Sequence, residues 1–256
     1  MDAPAGSIVV ATLNVRNRAD RWKERSGLLI DQLIALQPDI IGLQEVIRPV
    51  RQAAWIRREV NRRLPPGEPR YEIVCAWKSG IRRFWEGIAI MSRLPNLETE
   101  RLALAGGSRV AQRARVRLPS GGLLDFYNTH LHHPYDADDL RLAQARQTVA
   151  WIERHGDTAR VLVGDFNSEP DSEAVRFITG TLRSAFGAVH GFEPELTSPT
   201  LLNRREDAHL AVIDFIFVDP RLTIHDAWLT FDLPHDDDDH LFPSDHFGLA
   251  ARIAEG

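Results

Sequence analysis

Five apolar stretches of this chain carry, at one end, a side chain that a buried strand has no use for. Asn14 follows "VVATL", Glu45 follows "IIGLQ", His130 follows "LLDFYNT", Asp165 and Asn167 follow "VLVG", and Asp245 with His246 precede "FGLAARI". Singly, such residues are ordinary turn formers or solvated strand ends. Together, the carboxylates and carboxamides are the oxygen ligands that a hard divalent cation such as Mg²⁺ accepts. Two imidazoles at further strand ends suit a phosphate oxygen or general acid work. The set points to metal-assisted phosphoryl chemistry, in which a rigid rim of strands holds the ligands at fixed separations.

The rest of the sequence says what must hold that rim. With 256 residues and 43% hydrophobic content, the chain can bury a large core, and it reads as a single domain over residues 1–256. Strand-like runs include "SIVVATLNV", "PDIIGLQEV", "YEIVCAW", "EGIAIMS", "GLLDFYNTHL", "ARVLVGDFN", "LAVIDFIFV" and "HFGLAARI". Between them, Trp22 to Leu36, Pro49 to Leu64 and Asp138 to His155 space their apolar residues as amphipathic helices do. Most of the strands are apolar along their length and should be buried on both faces, whereas "AQRARVRL" alternates and should expose one face to water. The economical architecture is two sheets packed face to face with helices outside.

Other classes are disfavoured. The formal net charge of -5 lacks the bulk positive field of a nucleic-acid coat protein. The single cysteine, Cys75, lies in an apolar run, which leaves neither an internal disulfide nor an obvious thiol nucleophile, and no disulfide-linked partner is expected. No apolar run approaches the ~20 residues of a membrane span, and the N-terminus lacks a signal-like pattern, so a soluble, cytoplasmic and monomeric protein is expected. "HLHH", holding His132 and His133, resembles zinc-ligand spacing, but no second dense histidine cluster completes a site.

In order, "TLN", "LQE", "EGIAIMS", "NTHL", "GDFN", "IDFIF" and "SDH" run from Thr12 to His246. This series closely resembles the endonuclease/exonuclease/phosphatase superfamily, the DNase I-like proteins. The resemblance implies an α/β fold: a four-layer α/β/β/α sandwich, with two mostly antiparallel central sheets flanked by helices. It implies Mg²⁺ or Mn²⁺ as cofactor, with Glu45 the principal ligand and Asn14 and Asp245 close by. It makes Asp165 the water-orienting residue and candidate base, and Asn167 a donor to the scissile phosphate. His130 and His246 flank that phosphate, oriented by Glu86 and Asp214 respectively.

The implied activity is hydrolysis of a phosphodiester by in-line attack of activated water, of nuclease type or on a lipid or small phosphoester. A catalytically silent binding protein on the same fold is the reading from a different class, although none of the motif acids is missing. "GDFNSEP" and "IDFIFV" lack the extra sequence of the inositol-polyphosphate branch, while "LQEVI" and "FPSDHFG" are similar to tyrosyl-DNA phosphodiesterases. The "KSGIRRFW" segment offers Arg82 and Arg83 for phosphate and Trp85 for stacking on a nucleic-acid substrate. The acidic loop Asp236 to Asp239 precedes "FPSDH" and is expected at the mouth of the site.

Overall fold

The computed structural model describes residues 4, 6–78, 85–134 and 136–256. Arg82 and Arg83 lie outside the described residues. One six-stranded sheet contains β1 (Ile8–Asn14), β2 (Ile40–Ile47), β3 (Glu72–Trp77), β4 (Glu86–Ser92), β11 (Leu222–Thr230) and β12 (Gly248–Glu255), in the order β11-β12-β1-β2-β4-β3. The other contains β5 (Asn96–Ala103), β6 (Val110–Arg117), β7 (Leu123–His130), β8 (Ala159–Asp165), β9 (Arg183–Ser184) and β10 (Asp214–Val218), in the order β5-β6-β7-β8-β10-β9. In each sheet one pair is parallel, β1 with β2 and β7 with β8, and the remaining pairs are antiparallel.

Alternation along doubly buried strands builds the layers. Ile8 and Val10 of β1 face Phe126 and Val163 of the other sheet in the central core, while Val9, Ala11 and Leu13 turn outward. Outward they meet Leu29 and Leu33 of α1 (Trp22–Leu36) and Ile56 and Val60 of α2 (Gln52–Arg63). On the second sheet, Tyr127, Leu162 and Phe217 pack under Val149 and Ile152 of α3 (Asp138–Glu153) and Ile178 of α4 (Glu173–Thr179). The short α5 (Ala185–His190) adds Ala185 and Phe186 to the central core. The result is the expected four-layer sandwich.

Helix bounds follow the sequence periodicity except at one start. The second helix begins at Gln52 rather than near Pro49, because Arg51 takes a left-handed conformation (φ 49°) that turns the chain into it. Cys75 is half-buried in the edge strand β3, and burial pushes its thiol up to about 11, which removes it as a nucleophile at neutral pH.

The alternating strand departs from its expected half-solvated form. Arg113 of β6 is only 1% exposed. It donates through Nε to Asp125 Oδ1 at 2.9 Å and through Nη1 and Nη2 to Glu100 and Glu98 of the edge strand. Arg115 adds a second grip on the equally buried Asp125, at 2.9 and 2.8 Å. A polar alternation therefore marks a buried ion network on the helix-side face of the sheet, where the neighbouring edge strand β5 supplies carboxylates in place of water.

Removing one partner of a buried network leaves uncompensated charge. Asp125→Asn should lower stability by about 3 kcal/mol, seen as a lower urea midpoint with an unchanged m-value. An unmoved midpoint would mean that Glu98 and Glu100 satisfy both guanidinium groups without Asp125.

Candidate active site at the shared end of the two sheets

Topology explains why residues so distant in sequence meet. Parallel pairing puts the C-terminal ends of β1 and β2 at one edge of their sheet, and of β7 and β8 at one edge of theirs. Antiparallel partners then bring their starts to the same edge: Asp214 pairs with Asp165, and Glu86 with Ile47. The loop before β12 delivers Asp245 and His246 there, tied to β1 by Ser244 Oγ, which donates to the Asn14 carbonyl at 2.6 Å.

Local backbone features aim the side chains. The β2–β4 register slips between Leu43 and Val46, and Glu45 in that bulge has φ 59°. A bulge re-aims a residue that strict alternation would bury. Asn167 is likewise left-handed (φ 47°) just past β8. Gly164 before it has φ 151°, and a Cβ there would stand 2.1 Å from the Thr129 carbonyl oxygen. Glycine at the end of "VLVG" lets β8 lie tight against β7 while presenting Asp165 and Asn167 at its tip.

Asp165 is the hub. Its Oδ2 accepts from Asn14 Nδ2 at 2.9 Å and lies 3.4 Å from His130 Nε2 and 4.0 Å from His246 Nε2, while Oδ1 accepts from the Asn167 backbone N–H at 2.9 Å. Burial, and then the neighbouring Asp214, hold its carboxyl above the ordinary range. His246 Nδ1 stands 2.8 Å from Asp214 Oδ2. Burial opposes charge on that imidazole, but Asp214, Asp245 and Asp165 outweigh it and hold its pKa well above the usual value. His130 goes the other way: burial, then Arg109 and Lys78, keep it well below the usual value and thus neutral.

Glu45 Oε1 accepts from Asn14 Nδ2 at 3.3 Å and Oε2 from Asn17 Nδ2 at 2.9 Å. Burial, then Glu86 and Asp245, raise its pKa. Asp245 Oδ2 lies 3.2 Å from Arg16 Nε and accepts from Asn203 Nδ2 at 3.2 Å. As held here, Asn14 turns its NH₂ towards Glu45 and Asp165 and its oxygen towards the Arg16 N–H, at 2.9 Å. Asn167 Nδ2 donates to the Leu131 carbonyl at 3.2 Å.

Two sequence expectations are corrected. Glu86 does not orient His130: it forms an ion pair with Lys78, and the carboxylate beside His130 is Asp165. His130 Nδ1 has no hydrogen-bond partner among the described residues. The acidic loop, in turn, does not line the cleft; Asp238 reaches Arg21 at 2.7 Å, at the start of α1. Trp85 is exposed beside the cleft, not in it.

The cleft encloses about 610 Å³ and gathers Glu45, Glu86, His130, Asp165, Asn167, Asp245 and His246. His133 also lines it, whereas His132 does not. Sequence reading missed Arg16, Asn17, Arg109, Asn203, Arg205 and His209, which line it as well. Arg16 and Asn17 follow "TLN" closely enough to have been suspected; the 203–209 loop carries no local signal.

The donor set fits a hard divalent cation. Carboxylates with raised pKa values crowd together without thiolates, and Asp214 Oδ1 is buried with no hydrogen-bond partner among the described residues. Ligand atoms of Asp165, Asp214 and His246 all lie within 4.8 Å of one another, a second grouping able to hold a metal beside the expected Glu45.

Known proteins resemble this chain in sequence and in fold. The chain is 29% identical to Protein angel of Drosophila melanogaster over 174 residues, covering 62% of this chain and 47% of that protein. It is 26% identical to Drosophila melanogaster Nocturnin over 273 residues, covering 89% and 41% respectively. The chain thus spans less than half the length of either curated relative. The human Nocturnin catalytic domain with bound sulfate anion superposes with a TM-score of 0.77 at 20% identity, over 100% of this chain and 97% of that one. An endonuclease/exonuclease/phosphatase from Bacteroides vulgatus gives 0.79 at 21% identity, over 98% and 99%. At these identities the two structures show a shared fold. The model of the Endonuclease/Exonuclease/phosphatase family matches residues 11–246, nearly the whole chain, and the chain belongs to that family.

Proposed function

We propose that this chain is a phosphodiesterase dependent on Mg²⁺ or Mn²⁺. The observation that carries the reading is the meeting of Glu45, Asp165, Asp245 and the His246–Asp214 pair at one end of two rigid sheets, in a cleft that also presents Arg16, Lys78, Arg109 and Arg205. Carboxylates alone would repel a phosphoester. Interleaved cations, and a divalent metal when bound, would make the site attractive to one.

Glu45 would hold the cation, with Asp245 and the Asn14 carboxamide beside it. When bound, a divalent cation supplies positive charge against the developing phosphorane and lowers the pKa of attacking water. The chain's own residues handle the rest. His246, kept protonated and oriented by Asp214, donates from Nε2 to a phosphoryl oxygen. Asp165, fixed by the Asn167 backbone N–H and the Asn14 amide, orients the water and takes up its proton. Neutral His130 steadies Asp165. The Asn167 side chain can stabilise an oxyanion without adding charge.

Hydrolysis of bis(p-nitrophenyl) phosphate with Mg²⁺, Mn²⁺ or Ca²⁺, and its loss in EDTA, tests the reaction class. Full activity of metal-free protein in excess EDTA would overturn it. The ligand assignment has a readout that needs no turnover. Glu45→Gln should weaken Mg²⁺ binding by about 10- to 100-fold in a calorimetric titration, whereas loss on Asp214→Asn with none on Glu45→Gln would move the cation to the Asp165, Asp214 and His246 group.

Asp214 and His246 act as one unit in this reading. Each alanine variant should lower kcat by roughly 10² to 10⁴, and the double variant should be little worse than the more damaging single one. Additive losses at saturating Mg²⁺ would show that the pair does not work together.

A further inference from the structure

A second cavity opens off the cleft on the Asn167 side, between the loop after β8 and the start of α3, and hydrolysis makes no use of it. It holds about 370 Å³, within the roughly 300–1,000 Å³ of small-molecule sites. His133, Asn167, Ser198, His209 and Ile213 line both cavities, which meet there. Ser168, the next residue after Asn167, lines only the second.

Backbone hydrogen bonds fix its walls. The Phe166 N–H donates to the Ile213 carbonyl at 2.8 Å, and Ser198 and Ala211 exchange bonds at 3.0 and 2.9 Å. Ser172 caps α4 by accepting from the Val175 N–H at 3.3 Å, which leaves its hydroxyl hydrogen to donate. Ser168 is 4% exposed, and its Oγ has no hydrogen-bond partner among the described residues. A buried hydroxyl in that condition costs free energy until something bonds it.

The lining excludes most occupants. Among the described residues no Trp, Tyr or Phe lines the cavity, and its apolar contacts are Ala211 and Ile213, so it serves neither a stacked base nor an acyl chain. Its carboxylates repel a further anion, yet each already faces a cation: Glu169 lies 2.8 Å from His209 and Asp171 3.4 Å from Arg176, and Asp138 pairs with Arg141. A metal would have to displace those partners, and the ligand atoms close enough to share one lie elsewhere among the described residues, at Asp165, Asp214 and His246. Neutral hydroxyl groups fit. Serine hydroxyls both donate and accept, and a carboxylate has lone pairs enough to accept from a hydroxyl while keeping its cation.

We propose that this cavity is a subsite for a sugar or polyol esterified to the phosphate in the cleft, its hydroxyl groups held by Ser168, Ser172 and Glu169. The proposal rests on the phosphodiesterase reading, since the phosphate faces Asn167 and its substituent then reaches Ser168. It makes a small hydroxylated phosphodiester the preferred substrate class.

The test uses p-nitrophenyl phosphodiesters that share a leaving group and differ in the second alcohol: propanol, glycerol, glucose through its primary hydroxyl, or thymidine through its primary hydroxyl. Wild type should prefer the glyceryl or glucosyl ester over the propyl ester by at least about tenfold in kcat/KM, because a site that bonds a substrate hydroxyl discriminates against its absence. The faster of those two tells an open-chain polyol from a sugar ring. Ser168→Ala should cut that preference by about tenfold, through KM rather than kcat, and Ser168→Thr, which keeps the hydroxyl, should recover most of it. Calorimetric titration of metal-free protein in EDTA with the methyl phosphodiesters of glycerol and glucose should show the same loss in Kd without turnover.

Equal efficiency on the propyl and hydroxylated esters in wild type overturns the proposal, as does a hydroxyl preference that Ser168→Ala leaves intact. A thymidine ester hydrolysed better than both hydroxylated esters also overturns it, since the base would then be the group recognised. Wild-type protein that binds the methyl diesters with a Kd dependent on Ser168, but hydrolyses no diester, would support the subsite and overturn the phosphodiesterase reading. Hydrolysis of every ester with equal efficiency would do the reverse.

Discussion

Keeping several carboxylates together and away from water is the constraint that governs this structure. Asp165 and Asp214 are fully buried next to each other, and Glu45 feels both Glu86 and Asp245. Like charges at such separations would open a soft scaffold. Here each sits where hydrogen-bonded strands leave it little freedom: Asp165 and Asp214 are cross-strand partners, and Glu45 is held in a bulge. Part of the repulsion is met by the His246 imidazole, whose pKa Asp214 raises, and by the amides of Asn14 and Asn17, and the remainder is what a divalent cation would neutralise.

The second requirement is that the loops beyond the strands be as rigid as the strands. Arg25 of α1 supplies this for the segment after β1. It is completely buried and donates to the carbonyls of Val15, Arg16, Ala19 and Asp20, and across to Pro243 at 2.8 Å. Arg16, Asn17, Asp20 and Arg21 in that segment all have positive φ, a costly backbone that persists only when its surroundings over-determine it. One guanidinium, whose five N–H donors fan out in a plane, fixes both the loop that carries Arg16 and Asn17 and the one that leads to Asp245 and His246.

A third tie crosses the sandwich. Asn128 of β7 donates to the carbonyls of Leu43 and Ala89 in the opposite sheet, at 3.1 and 2.9 Å, and accepts from Gln44 at 2.8 Å. The two apolar sheets could otherwise slide over one another with little change in buried area. These directional bonds set how the sheet bearing Glu45 sits over the sheet bearing Asp165. Gly42 makes room for the contact, since a Cβ there would stand 2.9 Å from the Asn128 side chain.

The sequence alone determined the layers, because hydrophobic period and run length report directly on which faces are buried, and α1 ran from Trp22 to Leu36 as its spacing required. It also determined which polar residues stood out, since an acid closing an apolar run is visible without coordinates. Pairings were decided only by tertiary structure. Which carboxylate faces His130 depends on the three-dimensional placement of Lys78, which takes Glu86, and of Asp165, which takes its place. The burial of Arg113 depends on Asp125 and on the Glu98 and Glu100 carboxylates of the adjacent edge strand, and the course of the acidic loop on Arg21 reaching Asp238. Periodicity encodes a residue's face, whereas its partner is set by long-range register and by competition among charges.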